Sequence, residues 1–390
     1  MTLVPVPEAL DRLLALAPSL PRESVPLRRA AGRALAERVV APHAVPPFAA
    51  SAMDGWAVAA AAPGDVLRIT GEAAAGHPFT GAVGPGEAVR IFTGAPLPEG
   101  AARVVIQEDA ASDGNSVTVN AVEDATHVRP AGGDFPAGFA LEAGRAIRPR
   151  DVALLAAMGA SEVRVARRPV CAVLMTGDEL RPPGAPLAPG QITASNGYAV
   201  AAMLEASGAE ARLLPIAPDT EAGLAQAFDL AGGADLVITI GGASVGDHDL
   251  VAPAARAAGF ALDFHKVAMR PGKPLMAGRR DAAMLVGLPG NPVSAIVCTV
   301  VFILPVIRAM TGLSPVITPE RHPLAGPLPA NGPRAHYMRA TLRDGTLHVA
   351  ERQDSSLLSV LHAATHLVVR APGAAAAPEG ALVQAIPLPG

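Results

Sequence analysis

The chain has 390 residues, a formal net charge of −4, 50% hydrophobic residues and only 3% aromatic ones. That length exceeds one ordinary core, so two to four domains are expected, filled mostly by small aliphatic side chains. The acidic balance, without any run of Lys or Arg, excludes non-specific binding along a nucleic-acid backbone.

Residues 7–16 carry apolar side chains at spacings of three and four and predict a short amphipathic helix. Glu8 and Asp11 replace the basic start of a signal peptide, so none is read there. Residues 27–40 predict a second helix, with Gly32 tolerated inside and the proline-rich stretch 41–47 as its stop. From 47 to 140, glycine and proline punctuate short apolar pieces at 66–70, 88–92, 103–107 and 116–122. They predict a β-rich insert domain of barrel or sandwich type. Residues 149–158 return to helix with Gly159 as C-cap, followed by a strand around Val163 and Val165. The flanking segments 20–46 and 141–168 are expected to form one small discontinuous domain, helical or mixed.

From Val170 onward strands and helices alternate. Strands are predicted at 170–175, 211–216, 236–240, 264–269, 275–277 and 283–286. Between them lie a helix from Ser195 or Asn196 to Ser207, a helix capped by Asp219 or Thr220, and a helix over 250–258. Pro292 opens the last helix at the N1 position it favours. The fold class is multidomain α/β, with a doubly wound parallel sheet in a domain of residues 1–19 and 169–315. The apolar run 293–307, interrupted by Ser294, Thr299 and Pro305, reads as a buried helix too short to cross a bilayer. Strands at 334–342, 347–351 and 365–369 predict a β-barrel-like C-terminal domain over 318–390. Cys171 and Cys298 sit in apolar runs and read as small core residues of a protein in a reducing, cytoplasmic compartment. The histidines show no HExxH pattern, and no zinc site is expected. No GxxxxGK[ST] loop appears, which argues against a phosphate-loop kinase.

In open α/β sheets ligands bind beyond the C-terminal strand ends, so the loops 176–179, 241–249 and 287–294 should converge on one mouth. Gly241, Gly242 and Gly246 leave backbone N–H groups bare for an anion, and Ser244 adds a hydroxyl. A tight turn would use the same glycines. The neighbouring Asp247 and Asp249 would repel an anion unless a cation intervened, which points to Mg²⁺. Lys273 is held between Gly272 and Pro274. With Lys266 and Arg270 it makes three cations within eight residues, which ask for an anionic partner. Asp178 and Glu179 end a strand exit and could bind metal or orient water. Asp219 reads equally as a helix cap. The turn from Pro289 to Pro292, feeding a helix that carries Ser294, favours an anion.

Six separated stretches then stand in one order: SAMDGWAV (51–58), RIFTGAPLPEGA (90–101), TGDEL (176–180), GGASVGDHD (241–249), PGKP (271–274) and GLPGNPVS (287–294). In these the chain resembles the MoeA family of molybdopterin molybdenumtransferases, which is similar to the E domain of gephyrin. The resemblance implies an elongated four-domain homodimer with its active site shared between subunits. It implies insertion of molybdate into adenylylated molybdopterin with release of AMP, dependent on Mg²⁺. By motif, Asp54 and Thr93 would reach the cleft from the partner subunit. Glu179, Asp219 and Asp249 would stand near metal or molybdate, with Glu179 and Asp249 as metal ligands. Lys266, Arg270 and Lys273 would bind anions. Gly241, Gly242, Ser244, Gly246 and Ser294 would contact the pterin or its phosphate, and Pro289 and Pro292 would shape the pocket. The implied partners are an upstream adenylyltransferase and molybdoenzyme chaperones, with no nucleic acid and no membrane. Ala194 stands where the family usually has Asp, and Trp56 where Tyr is usual. Two alternatives share the pterin ligand: a molybdopterin adenylyltransferase, whose usual Gly-Gly-Thr-Gly-Pro loop differs from Ser244-Val245-Gly246, and a binding scaffold without catalysis.

Overall fold

The computed structural model describes residues 3–242 and 250–389. Ser244, Gly246, Asp247 and Asp249 lie outside the described residues. The central domain is built on a six-stranded sheet in the order Glu210–Leu213, Val170–Met175, Leu236–Ile240, Ala283–Leu288, Pro274–Arg280, Ala261–Lys266. The first four strands run parallel. Pro274–Arg280 runs antiparallel to both of its neighbours, so the expected parallel sheet holds for the first four strands and becomes mixed at this edge. The cause is local: Arg280 pairs with Ala283 across a tight turn in which Asp281 takes φ 50°. A parallel partner would need a long crossover instead.

Alternation along Val170–Met175 divides the core. Cys171, Val173 and Met175 face one layer, with Ala9, Leu13 and Phe302; Ala172 and Leu174 face the other, with Leu224 and Phe228. Both cysteines are buried free thiols. The N-terminal helix Val6–Leu16 packs Ala9 and Leu13 into the first layer, and Val4 N donates to Lys266 O at 3.0 Å. The helix opened by Pro292 passes through a π-helical stretch, Thr299–Ile303, and continues as Leu304–Met310. The wider turns accommodate Pro305, which has no N–H to donate. The Pro292–Met310 run is therefore 19 residues, longer than the sequence pattern suggested and long enough to cross a bilayer. Its most apolar window is 78% buried inside the protein, so it serves as a core helix.

The predicted helix over 27–40 does not form. A short 3-10 turn, Leu27–Arg29, gives way to Gly32 at φ 78° and then to the strands Ala34–Leu35 and Val39–Val40. Gly32 is the reason, because its left-handed backbone ends the helical path and its N–H donates to Ile147 O at 2.8 Å. The segments on either side of the insert share one sheet in the order Arg22–Pro26, Glu162–Ala166, Ala34–Leu35, Arg145–Ala146. The helix Pro149–Ala157 covers it through Leu155, against Leu35 and Val163. The insert carries its own six-stranded sheet, with Gly55–Val58 between Arg103–Ile106 and Glu87–Ile91.

At the C-terminal end, Thr346–Val349, Ala335–Arg343, His366–Arg370, Leu382–Pro387 and Glu320–Pro323 pair in succession. A bridge from Leu324 to Leu347 closes the ring around Leu328, Ala340, Val368 and Ala385. The strands Glu320–Pro323 and Leu382–Pro387 escaped sequence reading. Met269–Arg270 adds in parallel to Ala335 and His336 and stitches the central domain to this barrel.

Candidate active site

A cleft of about 1670 Å³ opens between the C-terminal strand ends of the central sheet and the barrel. All three strand-exit loops reach it, through Thr176 and Glu179, through Gly241 and Gly242, and through Pro289 to Ser294. Gly241 takes φ 99°, and a Cβ there would stand 2.6 Å from Thr176 O. Gly242, at φ 58°, would collide with Val251. These two glycines let adjacent strand exits touch, and the space left over is the cleft floor.

From the central domain the cleft's acids are Glu179 and Asp219, and Glu351 and Asp354 line it from the barrel. Thr176 Oγ1 donates to the Asp219 carboxylate, and Asp219 N donates to Asp178 Oδ1 at 3.1 Å. Thr220 caps the helix Glu221–Leu230 by accepting from Gly223 N at 3.1 Å. The capping alternative for Asp219 therefore falls away, and its carboxylate is presented to the cleft. Ser195 stands at the N-cap of Asn196–Ala206 without a side-chain cap bond. Asn196 Nδ2 instead donates to Gly290 O at 2.6 Å and ties that helix to the Pro289 turn.

Lys273 and Arg270 both line the cleft. Gly272 holds φ 107°, and a Cβ there would strike Cys298 Sγ. Lys266 stands opposite Pro274 in the sheet but does not appear among the described lining residues, apart from the other two cations. Pro289 and Ser294 are buried in the cleft wall, and Pro292 is half-buried. Asn291 Nδ2 donates to Ser355 Oγ at 3.1 Å and Val293 N to Ser355 O at 3.0 Å, so the barrel's 353–356 loop seats on this turn. Ala194 is 2% exposed at the cleft edge and donates its N–H to Arg181 O at 2.8 Å.

Asp54 and Thr93 meet each other but not this cleft. Thr93 N and Oγ1 both donate to Asp54 Oδ1 at 2.8 Å. Those bonds, the backbone one first, hold the Asp54 carboxyl below its usual range. Neither residue lines the cleft of its own chain among the described residues.

The barrel supplies a cationic wall that sequence reading missed. Arg334, His336 and Arg370 line the cleft, and Arg339 is fully buried beside them. Arg339 Nη2 donates to Arg352 O at 3.2 Å and Asp354 O at 3.0 Å. Burial first, then Arg270 and Arg339, push His336 down to about 4, so its imidazole is neutral at ordinary pH. His336 Nε2, Arg339 Nε and Nη1 and Arg370 Nε are buried with no hydrogen-bond partner among the described residues. Buried polar atoms without partners are costly, and for His336 and Arg370, which line the cleft, an anion there is one remedy. The available signal was basic residues at positions of otherwise apolar strands. The whole arrangement, a bank of cations sharing the cleft with the carboxylates Glu179, Asp219, Glu351 and Asp354, suits a polyanion accompanied by a hard cation.

Comparisons with known proteins agree along the length of the chain. Residues 4–159 match the family described as "MoeA N-terminal region (domain I and II)". Residues 172–309 match "Probable molybdopterin binding domain", and 321–388 match "MoeA C-terminal region (domain IV)". The chain is 39% identical over 296 residues to a molybdopterin molybdenumtransferase of Haemophilus influenzae, covering 74% of this chain and 73% of that one. It is 40% identical over 315 residues to molybdopterin molybdenumtransferase 2 of Mycobacterium tuberculosis, covering 76% and 77%. Two solved structures of the molybdopterin biosynthesis MoeA protein from Pyrococcus horikoshii superpose with TM-scores of 0.86 and 0.84 at 28% and 26% identity. They cover 100% and 99% of this chain and the whole of theirs.

Proposed function

The chain belongs to the MoeA family of molybdopterin molybdenumtransferases, and on that premise we propose that its cleft inserts molybdate into adenylylated molybdopterin and releases AMP. The observation that carries this reading is the cleft's mixed charge: Arg270, Lys273, Arg334 and Arg370 line it together with the carboxylates Glu179, Asp219, Glu351 and Asp354. Molybdate and the phosphates are anions whose hydration must be replaced on binding. Lys273, fixed by its glycine, acts as a point charge, and the Arg270 guanidinium can accept an oxyanion in bidentate fashion. Buried donors of the barrel wall need no reorganisation when negative charge arrives, which favours the charged transition state.

The open carboxylates of Glu179 and Asp219 fit Mg²⁺, which takes one or two carboxylates, keeps several waters and shares substrate phosphates. When bound there it would neutralise charge on the phosphoanhydride. Asp249 is proposed as a further acid of this set. Asp54 and Thr93, prepared as a pair yet remote from their own cleft, are proposed to complete the site of a second copy in a homodimer. The free buried thiols support a cytoplasmic location, with an adenylyltransferase upstream.

Purified protein incubated with adenylylated molybdopterin tests the reading by AMP release. Release that rises on adding molybdate is the expected outcome. Formation of the adenylylated compound from ATP would move the chain to the preceding step. No release under either condition would leave a binding scaffold.

A further inference from the structure

In the C-terminal barrel, outside the lining of the cleft, Glu320, His322 and His366 turn their side chains toward one point. The convergence follows from strand register. Glu320 and Val368 both stand opposite Ala385, and His366 stands opposite Pro387 two residues further along the same strand. Period-two alternation then puts Glu320, His322 and His366 on one face. Glu320 Oε2 lies 2.9 Å from His322 Nε2 and 3.5 Å from His366 Nε2. All three donor atoms fall within 4.8 Å of one another. Ligand atoms about 2.0–2.1 Å from a tetrahedral Zn²⁺ stand about 3.3 Å apart, so only small side-chain adjustments separate this triad from a coordination sphere.

Two further features suit a metal. His366 is 7% exposed while Glu320 is open to solvent, which leaves an entry path and an unfilled ligand position for water. Thr365 Oγ1 stands 2.8 Å from His366 Nδ1 and can accept its proton, leaving the Nε2 lone pair directed at the triad. Outer partners of this kind orient metal-bound histidines. Helical i,i+4 spacing also relates His362 to His366, but the helix ends at Ala363, so His362 belongs to a different element.

We propose that Glu320, His322 and His366 form a site for one borderline divalent transition ion of the Zn²⁺ class, which ties Glu320–Pro323 to His366–Arg370 across the intervening strand. Two imidazoles and a carboxylate select such an ion over Mg²⁺, which prefers oxygen alone. The site is independent of the proposed transferase chemistry. The test is titration of chelator-treated full-length protein with Co²⁺ in excess Mg²⁺, followed by visible absorption and then displacement by Zn²⁺. One Co²⁺ per chain with a low-symmetry d–d band is expected. Glu320→Gln and His322→Gln, both at solvent-accessible positions, should each weaken binding at least about tenfold, as loss of even an outer partner does. Zn²⁺ should raise Tm in the wild type and not in His322→Gln. Absence of a Co²⁺ band in the wild type, or bands of equal affinity in both variants, overturns the proposal. AMP release measured on the same samples reports the transferase reading separately.

Discussion

Gly272 shows how one missing side chain sets a functional one in place. Its φ of 107° and the Cys298 sulfur against its Cα leave no room for a methyl group. Gly272→Ala is expected to cost more than about 1 kcal/mol of stability, seen as a lower urea midpoint, because the backbone is incompatible with the new residue. It should also cut AMP release by displacing Lys273. His336 gives a pH signature. Its pKa in the fold is about 4, below its ordinary 6.5. The unfolded chain therefore takes up a proton that the folded chain refuses, and stability falls as pH drops from 6.5 towards 4. Urea midpoints across that window should fall less steeply in His336→Gln. The two residues differ in how much the sequence reveals. Lys273 between glycine and proline declares a constrained charge from three neighbouring letters. The meaning of His336, Arg339 and Arg370 arises only when the barrel buries them together against Arg270. The Glu320 triad is hidden for the same reason, since His366 lies in a strand that reads as plain β-structure.

At the scale of elements, the helix Pro149–Ala157 rests on one carboxylate. Asp151, 3% exposed, accepts from Arg148 N and Nε at 2.9 Å and from Arg145 Nη2 at 3.3 Å. The Arg148 side chain foremost holds its pKa well below the carboxylate range. Asp151→Asn keeps the shape but weakens the cap, and about 1–2 kcal/mol of stability should be lost by denaturant titration. This helix was legible because Pro149 opens it and Gly159 closes it. Leu236–Ile240, buried at every position, was legible because a fully buried strand is a near-continuous apolar run, here broken only by Thr239. The stretch over 27–40 misled because helical spacing persists across Gly32, whose positive φ only the folded partners around Ile147 require. The antiparallel edge of the central sheet was hidden because the turn at Asp281 carries no glycine to announce it.

For the whole molecule, the prepared pair Asp54–Thr93 and the cleft are parts of one chain that do not meet among its described residues. If two copies complete each other, as proposed above, an Asp54→Ala chain and a Lys273→Ala chain should each be inactive as homodimers. Co-refolded mixtures should recover up to about a quarter of wild-type AMP release, since half the dimers carry one intact site of two. No recovery in a mixture shown by tagged pull-down to contain both chains would place Asp54 outside the site. The order of the segments, and the expectation that 20–46 and 141–168 belong together, could be read from shifts in texture along the chain, but the strand register that joins them could not. Strand pairing across so many residues leaves no local mark, because each partner is only a short apolar piece until the other arrives.

That pairing has a consequence for how the protein is born. Arg22–Pro26 must await Glu162–Ala166, to which it pairs from Arg22 opposite Ala166. The N-terminal helix waits longer still, since Val4 docks on Lys266. At ribosomal rates of about 5–20 residues per second, the first strand stays unpartnered for roughly 10–30 s of synthesis. The insert, whose contacts are nearer in sequence, can fold while it waits. The first helix to leave the ribosome is thus among the last to find its place, and a chaperone that holds nascent termini should find its longest occupancy there.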